Sequence, residues 1–202
     1  MKAILIAGTH DRDLAGWYSP RSAFVRDVVN MAGHTAVYAD GRGFAWSTDL
    51  GGVGFGRGDL AVWDAAGGNL FAYAVPPLCP DFRIPPDDLI LISHSHGLQV
   101  ALFALAHGLK ATLLVDISGP VRRDMEPAAH AARANVTRWV HVHGGASDRW
   151  QWLGALFDGH LGVRRAHPLA DVNCDLPALG HSDLVRNPRQ YHHWHDQGWL
   201  DV

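Results

Sequence analysis

The chain has 202 residues, of which 48% are apolar and 18% are charged, and its formal net charge is −3. This length suits a single globular domain with a sizeable hydrophobic core, and the apolar share is too high for an intrinsically disordered chain. With 17 Lys and Arg against 20 Asp and Glu, the chain has no basic surplus with which to bind nucleic acid or an anionic membrane surface. No apolar run approaches the roughly 18 residues that a membrane span requires.

The first residues and the cysteines indicate where the protein works. The opening segment, MKAILIAGTHDRD, has a short apolar stretch that runs into charged residues without a small-residue cleavage site. We therefore predict a first strand here rather than a secretion signal. Cys79 and Cys174 form no metal-binding or redox motif and are too few to staple a domain of this size. A cytoplasmic location is expected.

Short apolar runs alternate with helical patterns along the chain, which is typical of a mostly parallel sheet covered by helices on both faces. After the first run, apolar residues at helical spacing between positions 24 and 32 predict a helix. Ser19-Pro20 suits the start of this helix, and Gly33 suits the position just past its end. Leu98–His107 is apolar nearly all round and predicts a second, buried helix. The predicted strands are Lys2–Ala7, Thr35–Ala39, Leu89–Ile92, Ala111–Ile117 and Arg138–His143, with a sixth near Val163–His167.

These elements predict one α/β domain over residues 1–202, built on a mostly parallel central sheet of about six strands with helices on both sides. The main irregular segment is residues 41–58, GRGFAWSTDLGGVGFGRG. It contains neither the G-x-G-x-x-G pattern of dinucleotide-binding proteins nor a Walker motif. Nucleotide-binding proteins of these two classes are therefore disfavoured.

The most informative passage is residues 87–108, DDLILISHSHGLQVALFALAHG, in which a buried strand runs with almost no loop into the buried helix. A serine at so tight a turn, here Ser95, is forced into a strained backbone conformation that lifts its hydroxyl above the sheet. Small residues two positions before and after this serine let strand and helix pass closely, and these positions hold Ser93 and Gly97. The passage predicts a nucleophilic serine, and the alternative is a polar turn without one.

This passage resembles the nucleophile elbow of the α/β-hydrolase family, G-x-S-x-G, in which His often precedes the serine. Here Ser93 stands in place of the first Gly of the pattern and is still small. The resemblance covers most of the chain, from Lys2 to about Pro188. It implies an α/β-hydrolase fold with a catalytic triad in the chain order Ser, acid, His. Residues 118–137, between the predicted strands Ala111–Ile117 and Arg138–His143, are too few to form the cap domain that many members of the family insert.

The resemblance assigns the acid and the base of the triad to two later loops. Asp148 follows the strand RWVHVH, where the family keeps its acid, and His181 lies in a Gly-His-Ser loop that looks like the family's catalytic-histidine loop. Asp116 also ends a strand, TLLVD, at a position where some members carry the acid, so it remains an alternative. Asp183 lies two residues after His181 and is expected to cap a following turn.

The resemblance further implies two backbone N–H donors that would stabilise an oxyanion. One belongs to His96, directly after the nucleophile, and the other to Thr9, in the loop after the first strand. The His94 side chain could line the site or pack beneath the elbow. The strand residues His141 and His143 are expected to be ordinary half-buried side chains.

Together these residues imply a serine hydrolase that cleaves a carboxylic ester or related acyl bond of a small molecule, through an acyl-enzyme and without a cofactor. Two alternatives remain, an inactive hydrolase-fold binding protein and a metal-dependent hydrolase that uses the 14 histidines. The histidine-rich tail, YHHWHD, lacks the spacing of a catalytic zinc site, so no metal is predicted. The expected partner is a small acyl substrate, and both a monomer and a homo-oligomer are compatible with the sequence.

Overall fold

A six-stranded sheet, parallel throughout, forms the centre of the computed structural model, with its strands in the order β2-β1-β3-β4-β5-β6. The structure describes residues 1–8, 16–37, 59–74, 88–144, 148 and 166–202. In a parallel sheet all carboxyl ends lie at one edge, where α/β proteins place their sites. The strands are β1 (Lys2–Ile6), β2 (Thr35–Val37), β3 (Leu89–His94), β4 (Ala111–Ile117), β5 (Val136–Gly144) and β6 (Val172–Leu176).

Helices cover both faces of this sheet, as the sequence predicts. The helices are α1 (Asp59–Ala74), α2 (Gly97–Ala106), α3 (Glu126–Arg133), α4 (Asp183–Arg186) and α5 (His192–Asp196). A π-helical segment at Val25–Val29 lies between β1 and β2. One apolar cluster joins the sheet to α1, α2 and α3, and a second joins its other face to the π-helical segment and the C-terminal helices. Within the described ranges, no helix has both the length and the apolar character needed to cross a bilayer.

The central strand β3 explains why its sequence is a continuous apolar run. All six of its residues are buried. Ile90 and Ile92 pack into the cluster on one face, whereas Leu89 and Leu91 pack into the cluster on the other, because successive side chains of a strand point to opposite faces. The helix that follows, α2, is buried at eight of its ten residues, which confirms the prediction of a buried helix at this place.

The sixth strand is not where the sequence pattern suggested. It lies at Val172–Leu176, whereas the prediction was Val163–His167. Of the predicted residues, 166 and 167 have no strand structure, and 163–165 lie outside the described residues. The strand β6 lies at the edge of the sheet, and its residues alternate between half-buried and exposed. A one-sided strand of this kind has no continuous apolar run for the sequence to show.

The first helical segment starts later than predicted. Residues 19–22 form a turn, in which the Ser22 N–H donates to the Ser19 carbonyl at 3.0 Å. The Ser22 hydroxyl then accepts from the Val25 N–H at 3.1 Å, which is the contact of an N-terminal capping residue. The prediction of a start at Ser19-Pro20 is therefore wrong. The prediction for Gly33 is confirmed, since this residue ends the segment with φ 78°.

Candidate active site

The turn between β3 and α2 holds Ser95 in a strained conformation. Its φ angle is 54°, in the left-handed region that L residues rarely adopt. The Ser95 N–H donates to the Ile117 carbonyl of β4 at 2.9 Å, and its carbonyl accepts from the Leu98 N–H of α2 at 3.1 Å. These two contacts hold the strained turn between the sheet and the helix. Backbone strain of this kind costs roughly 1–3 kcal/mol and concentrates at functional sites.

Strand and helix cross very closely beside this turn. A Cβ atom on Gly97 would lie 2.6 Å from the Ile6 carbonyl oxygen and 2.7 Å from that of Ala7. Position 97 therefore has no room for any side chain. Ser93, on the other side of the turn, is fully buried. The small residues on both sides of Ser95 are thus explained by the close passage of β1, β3 and α2.

A second pair of predicted site residues meets at the carboxyl edge of β5. The Nδ1 atom of His181 lies 2.9 Å from Oδ2 of Asp148, whose side chain is fully buried. The approach depends on Gly144, where β5 ends, because a Cβ there would lie 3.0 Å from the Leu179 carbonyl oxygen and 3.4 Å from Cβ of Asp148. Asp183 supports the same loop by accepting from the Gly180 N–H at 2.7 Å. The turn that Asp183 caps therefore precedes it, so the prediction that Asp183 caps a following turn is wrong.

The surroundings of His181 favour its neutral form. Burial lowers the pKa of His181 most, and the hydrogen bond to Asp148 opposes that effect. Because the Asp148 carboxylate accepts a hydrogen bond from Nδ1, the neutral ring carries its proton on that nitrogen. The other nitrogen, Nε2, is then unprotonated and has a lone pair that can accept a proton. Such a ring can take a proton from a hydroxyl at neutral pH.

The structure brings the His181 loop against the elbow without closing the triad. The His94 ring, next to Ser95 in the chain, lies 4.9 Å from the His181 ring. Among the described residues, however, no hydrogen bond joins the Ser95 hydroxyl to His181. Two of the three predicted triad residues are therefore in contact, and the third lies in the adjacent turn. Hydrogen bonds of this kind are often longer in ligand-free sites and shorten when substrate binds.

Comparison with known proteins identifies the architecture. The sequence matches no protein-family model and no curated protein. Among solved structures, a predicted CIB-like hydrolase from Thermoplasma acidophilum shares 13% identity with a TM-score of 0.53, over 100% of this chain and 86% of that one. A dienelactone hydrolase-like promiscuous phosphotriesterase from metagenomic libraries shares 14% identity with a TM-score of 0.55, over 98% and 84%. An esterase from Pyrococcus furiosus shares 12% identity with a TM-score of 0.51, over 98% and 81%.

The chain has an α/β-hydrolase fold. In the α/β-hydrolase fold, oxyanion donors come from the residue after the nucleophile and from a loop after an earlier strand. His96 directly precedes α2 and stacks its ring on Trp63 of α1 at 5.1 Å. Thr9 lies outside the described residues. Its neighbour Gly8 is described, and a Cβ there would lie 3.0 Å from Cβ of Ser95, so the loop after β1 begins against the elbow.

Asp116, the alternative candidate for the acid of the triad, is hydrogen-bonded to residues other than His181. Its two carboxylate oxygens accept from Nδ1 of His141 and from Nε1 of Trp139, both at 2.7 Å. Asp116 and His141 are almost completely buried. The prediction that His141 and His143 are half-buried is wrong, because both side chains are buried. The described contacts of these two rings are with each other, with Asp116, with His167 and with Asp175.

Sequence reasoning left the place of His94 open, and the structure decides it. His94 is buried with 4% exposure and contacts the His181 loop from beneath the elbow. The only signal for this in the sequence is a His directly before Ser95. Among the residues that the structure describes, no group of three or more His, Cys, Asp or Glu side chains could hold a metal ion.

Proposed function

We propose that the protein is a serine hydrolase that cleaves a carboxylic ester or related acyl bond of a small molecule. In this proposal Ser95 is the nucleophile, His181 the general base and Asp148 the acid that orients His181. The reaction needs no cofactor, since these three side chains supply the nucleophile and all proton transfers. The whole chain would act as one cap-less domain.

The first half of the reaction forms an acyl-enzyme. The Ser95 oxygen would form a bond to the acyl carbon while its proton moves to Nε2 of His181. The tetrahedral intermediate would collapse as the bond to the leaving alcohol breaks and His181 returns the proton to the alcohol oxygen. Asp148 would stabilise the transient imidazolium. In the second half, water would repeat these steps and release the carboxylic acid.

Two backbone amides would stabilise the negative oxygen of the intermediate. The N–H of His96 is one donor and the N–H of Thr9 is the other. Loss of one such donor costs about 3–4 kcal/mol of transition-state stabilisation in comparable sites. The position of Gly8 supports this assignment, because Thr9 is the next residue and a Cβ atom on Gly8 would lie 3.0 Å from Cβ of Ser95.

One observation carries the proposal. A buried carboxylate is hydrogen-bonded to a mostly buried imidazole, at 2.9 Å, beside a turn that holds a serine at φ 54°. Each feature alone has a purely structural explanation, but together they are the parts that an acyl-transfer site requires.

Hydrolysis of p-nitrophenyl esters of increasing acyl length tests the proposal. We expect the wild-type protein to release p-nitrophenol and Ser95→Ala to lose at least about 1,000-fold in kcat/KM. The matched control is Ser118→Ala, because Ser118 also has φ 54° but carries no proposed chemistry. Equal rates in wild type and Ser95→Ala would overturn the proposal. The chain-length profile would define the acyl pocket.

A second candidate is an inactive hydrolase-fold binding protein. It is favoured by the lack of a hydrogen bond between Ser95 and His181 among the described residues. This candidate predicts no hydrolysis at any chain length and no difference between wild type and Ser95→Ala. The ester series therefore separates the two functions.

A further inference from the structure

We propose that His94 is a positioning residue that ties the loop of the catalytic base to the nucleophile turn. This inference rests on the proposed function, because it assigns His94 a role toward Ser95 and His181. His94 would not touch the reacting atoms. It would fix the place of the His181 backbone relative to the turn that carries Ser95.

Two hydrogen-bonding contacts connect His94 to the base loop. Its Nε2 atom lies 3.1 Å from the carbonyl oxygen of His181 and 3.3 Å from the Ser182 hydroxyl. The three residues belong to segments 87–88 positions apart in sequence. Since the partner at 3.1 Å is a carbonyl, Nε2 must donate, so the ring carries its proton there.

Burial keeps His94 in the neutral state that this contact uses. Its pKa is lowered from 6.5 to about 4, chiefly because burial disfavours the charged form. A neutral ring donates to the carbonyl without placing a permanent charge beside His181. A positive charge at this distance would oppose protonation of His181, the step that the proposed mechanism requires.

The ring is held on other sides as well. Trp17 meets it edge-on with ring centroids 6.1 Å apart, and a Cβ on Gly8 would lie 3.1 Å from its Nδ1 atom. His94 is therefore packed between Gly8 after β1, the ring of Trp17 and the loop that carries His181. Because Ser95 is the next residue, a shift of His94 would move nucleophile and base relative to each other.

Substitutions at position 94 separate positioning from simple packing. His94→Gln keeps an N–H donor near the position of Nε2, His94→Asn carries its amide one methylene closer to the backbone, and His94→Leu has no donor. The matched control is His34, whose Nε2 lies 2.9 Å from the Leu200 carbonyl oxygen. It makes the same kind of contact at the amino edge of the sheet, so His34→Leu removes an equivalent bond away from the site.

The expected result is a loss in kcat rather than in substrate binding. His94→Leu and His94→Asn should lower kcat by about 10-fold to 100-fold, because small misplacements of a catalytic group have effects of this size. KM should stay within about twofold, as a ground-state contact is not removed. His94→Gln should recover most of kcat, and His34→Leu should leave it unchanged. Equal kcat in the Gln and Leu variants, or a loss in His34→Leu as large as in His94→Leu, would overturn the inference.

A proton NMR signal tests the inference independently of activity. The Nδ1 proton of His181, bonded to Asp148, should give a far-downfield resonance in the wild-type protein, in His34→Leu and in His94→Gln. It should broaden or vanish in His94→Asn, and in His94→Leu if that variant folds. A wild-type protein that shows the resonance but hydrolyses no ester would refute the proposed function and leave the positioning role standing. Retention of the resonance in His94→Asn would refute the positioning role.

Discussion

Two buried carboxylates near the carboxyl edge of the sheet have different partners. Asp148 is bonded to His181, which lies in the loop that reaches the elbow. Asp116 is bonded to His141 and Trp139 within the sheet and its helical cover. The chain order of the hydrolase family permits either acid, so only the contacts distinguish them. These contacts support the proposal of Asp148 as the orienting acid, whereas the contacts of Asp116 join two neighbouring strands of the sheet.

Substitution of each acid by Asn tests this assignment. Asp148→Asn should lower kcat by about 10,000-fold, since His181 would then hold the wrong tautomer. Asp116→Asn should keep kcat close to wild type but lower the free energy of unfolding by about 2–3 kcal/mol. The reason is that the new amide NH2 group would face an N–H donor of His141 or Trp139 and leave both groups without an acceptor. Ester hydrolysis and urea unfolding of both variants measure these effects. An inactive Asp116→Asn with unchanged stability would reverse the assignment.

The acid limb of the pH profile reports the protonation of His181. Burial lowers the pKa of this ring below its usual 6.5 despite the bond to Asp148. The neutral base therefore persists to lower pH than in an exposed histidine, and kcat/KM should rise with pH to a plateau with a midpoint below 6.5. A midpoint at or above 6.5 in the ester assay would contradict this electrostatic account.

At the scale of elements, the crossing of α1 and α2 depends on one of two adjacent glycines. A Cβ on Gly67 would lie 2.5 Å from Cβ of Phe103, whereas a Cβ on Gly68 would meet nothing closer than 3.8 Å. Gly67→Ala should therefore force the helices apart and destabilise the fold by about 1–3 kcal/mol. Gly68→Ala should stabilise it by about 0.5–1 kcal/mol through helix propensity. Urea unfolding measures the free energy of unfolding of both variants. An equal change in the two would show that α1 and α2 do not cross closely at Gly67.

Among the elements that sequence reasoning located correctly, β3, β4 and α2 are almost completely buried. The apolar runs of β3 and β4 and the helix α2 were predicted almost to their ends. The strand β6 was misplaced because its half-buried residues, such as Val172 and Cys174, alternate with exposed ones. The start of the first helical segment was predicted too early in the chain, because Ser19-Pro20 has the composition of a helix start. The capping contact is instead made by Ser22.

The part of the candidate site that the sequence predicts is the part formed by residues close together in the chain. The residues around Ser95 show a strand, a tight turn and a helix in the sequence itself. The pairings of Asp148 with His181 and of Asp116 with His141 link residues 25–33 positions apart. They depend on which face and which edge of the sheet each side chain occupies. Thr9 lies outside the described residues, so its oxyanion role stays a prediction.

At the scale of the whole molecule, buried neutral histidines make stability depend on pH. The folded-state pKa of His94 is about 4, against 6.5 without burial, so between these values the unfolded chain binds the proton and the folded chain does not. Stability should therefore fall as pH decreases through this window, by about 3 kcal/mol for this group alone. The lowered pKa values of His143 and His181 act in the same direction.

Urea unfolding between pH 7 and pH 4 measures this dependence. We expect the free energy of unfolding of the wild-type protein to fall steadily over this range and that of His94→Gln to fall less, because Gln takes up no proton. A wild-type stability that does not change between pH 7 and pH 4 would show that these rings are protonated in the folded state.

The most direct test of the central claim is covalent labelling with a fluorophosphonate, which reacts with activated serines. The account predicts that wild-type protein gains the mass of one probe, that peptide mapping places it on Ser95, and that Ser95→Ala gains none. Asp148→Asn should be labelled far more slowly, because the base is no longer oriented. A wild-type protein that stays unlabelled, or labelling that survives Ser95→Ala, would contradict the assignment of Ser95 as the nucleophile.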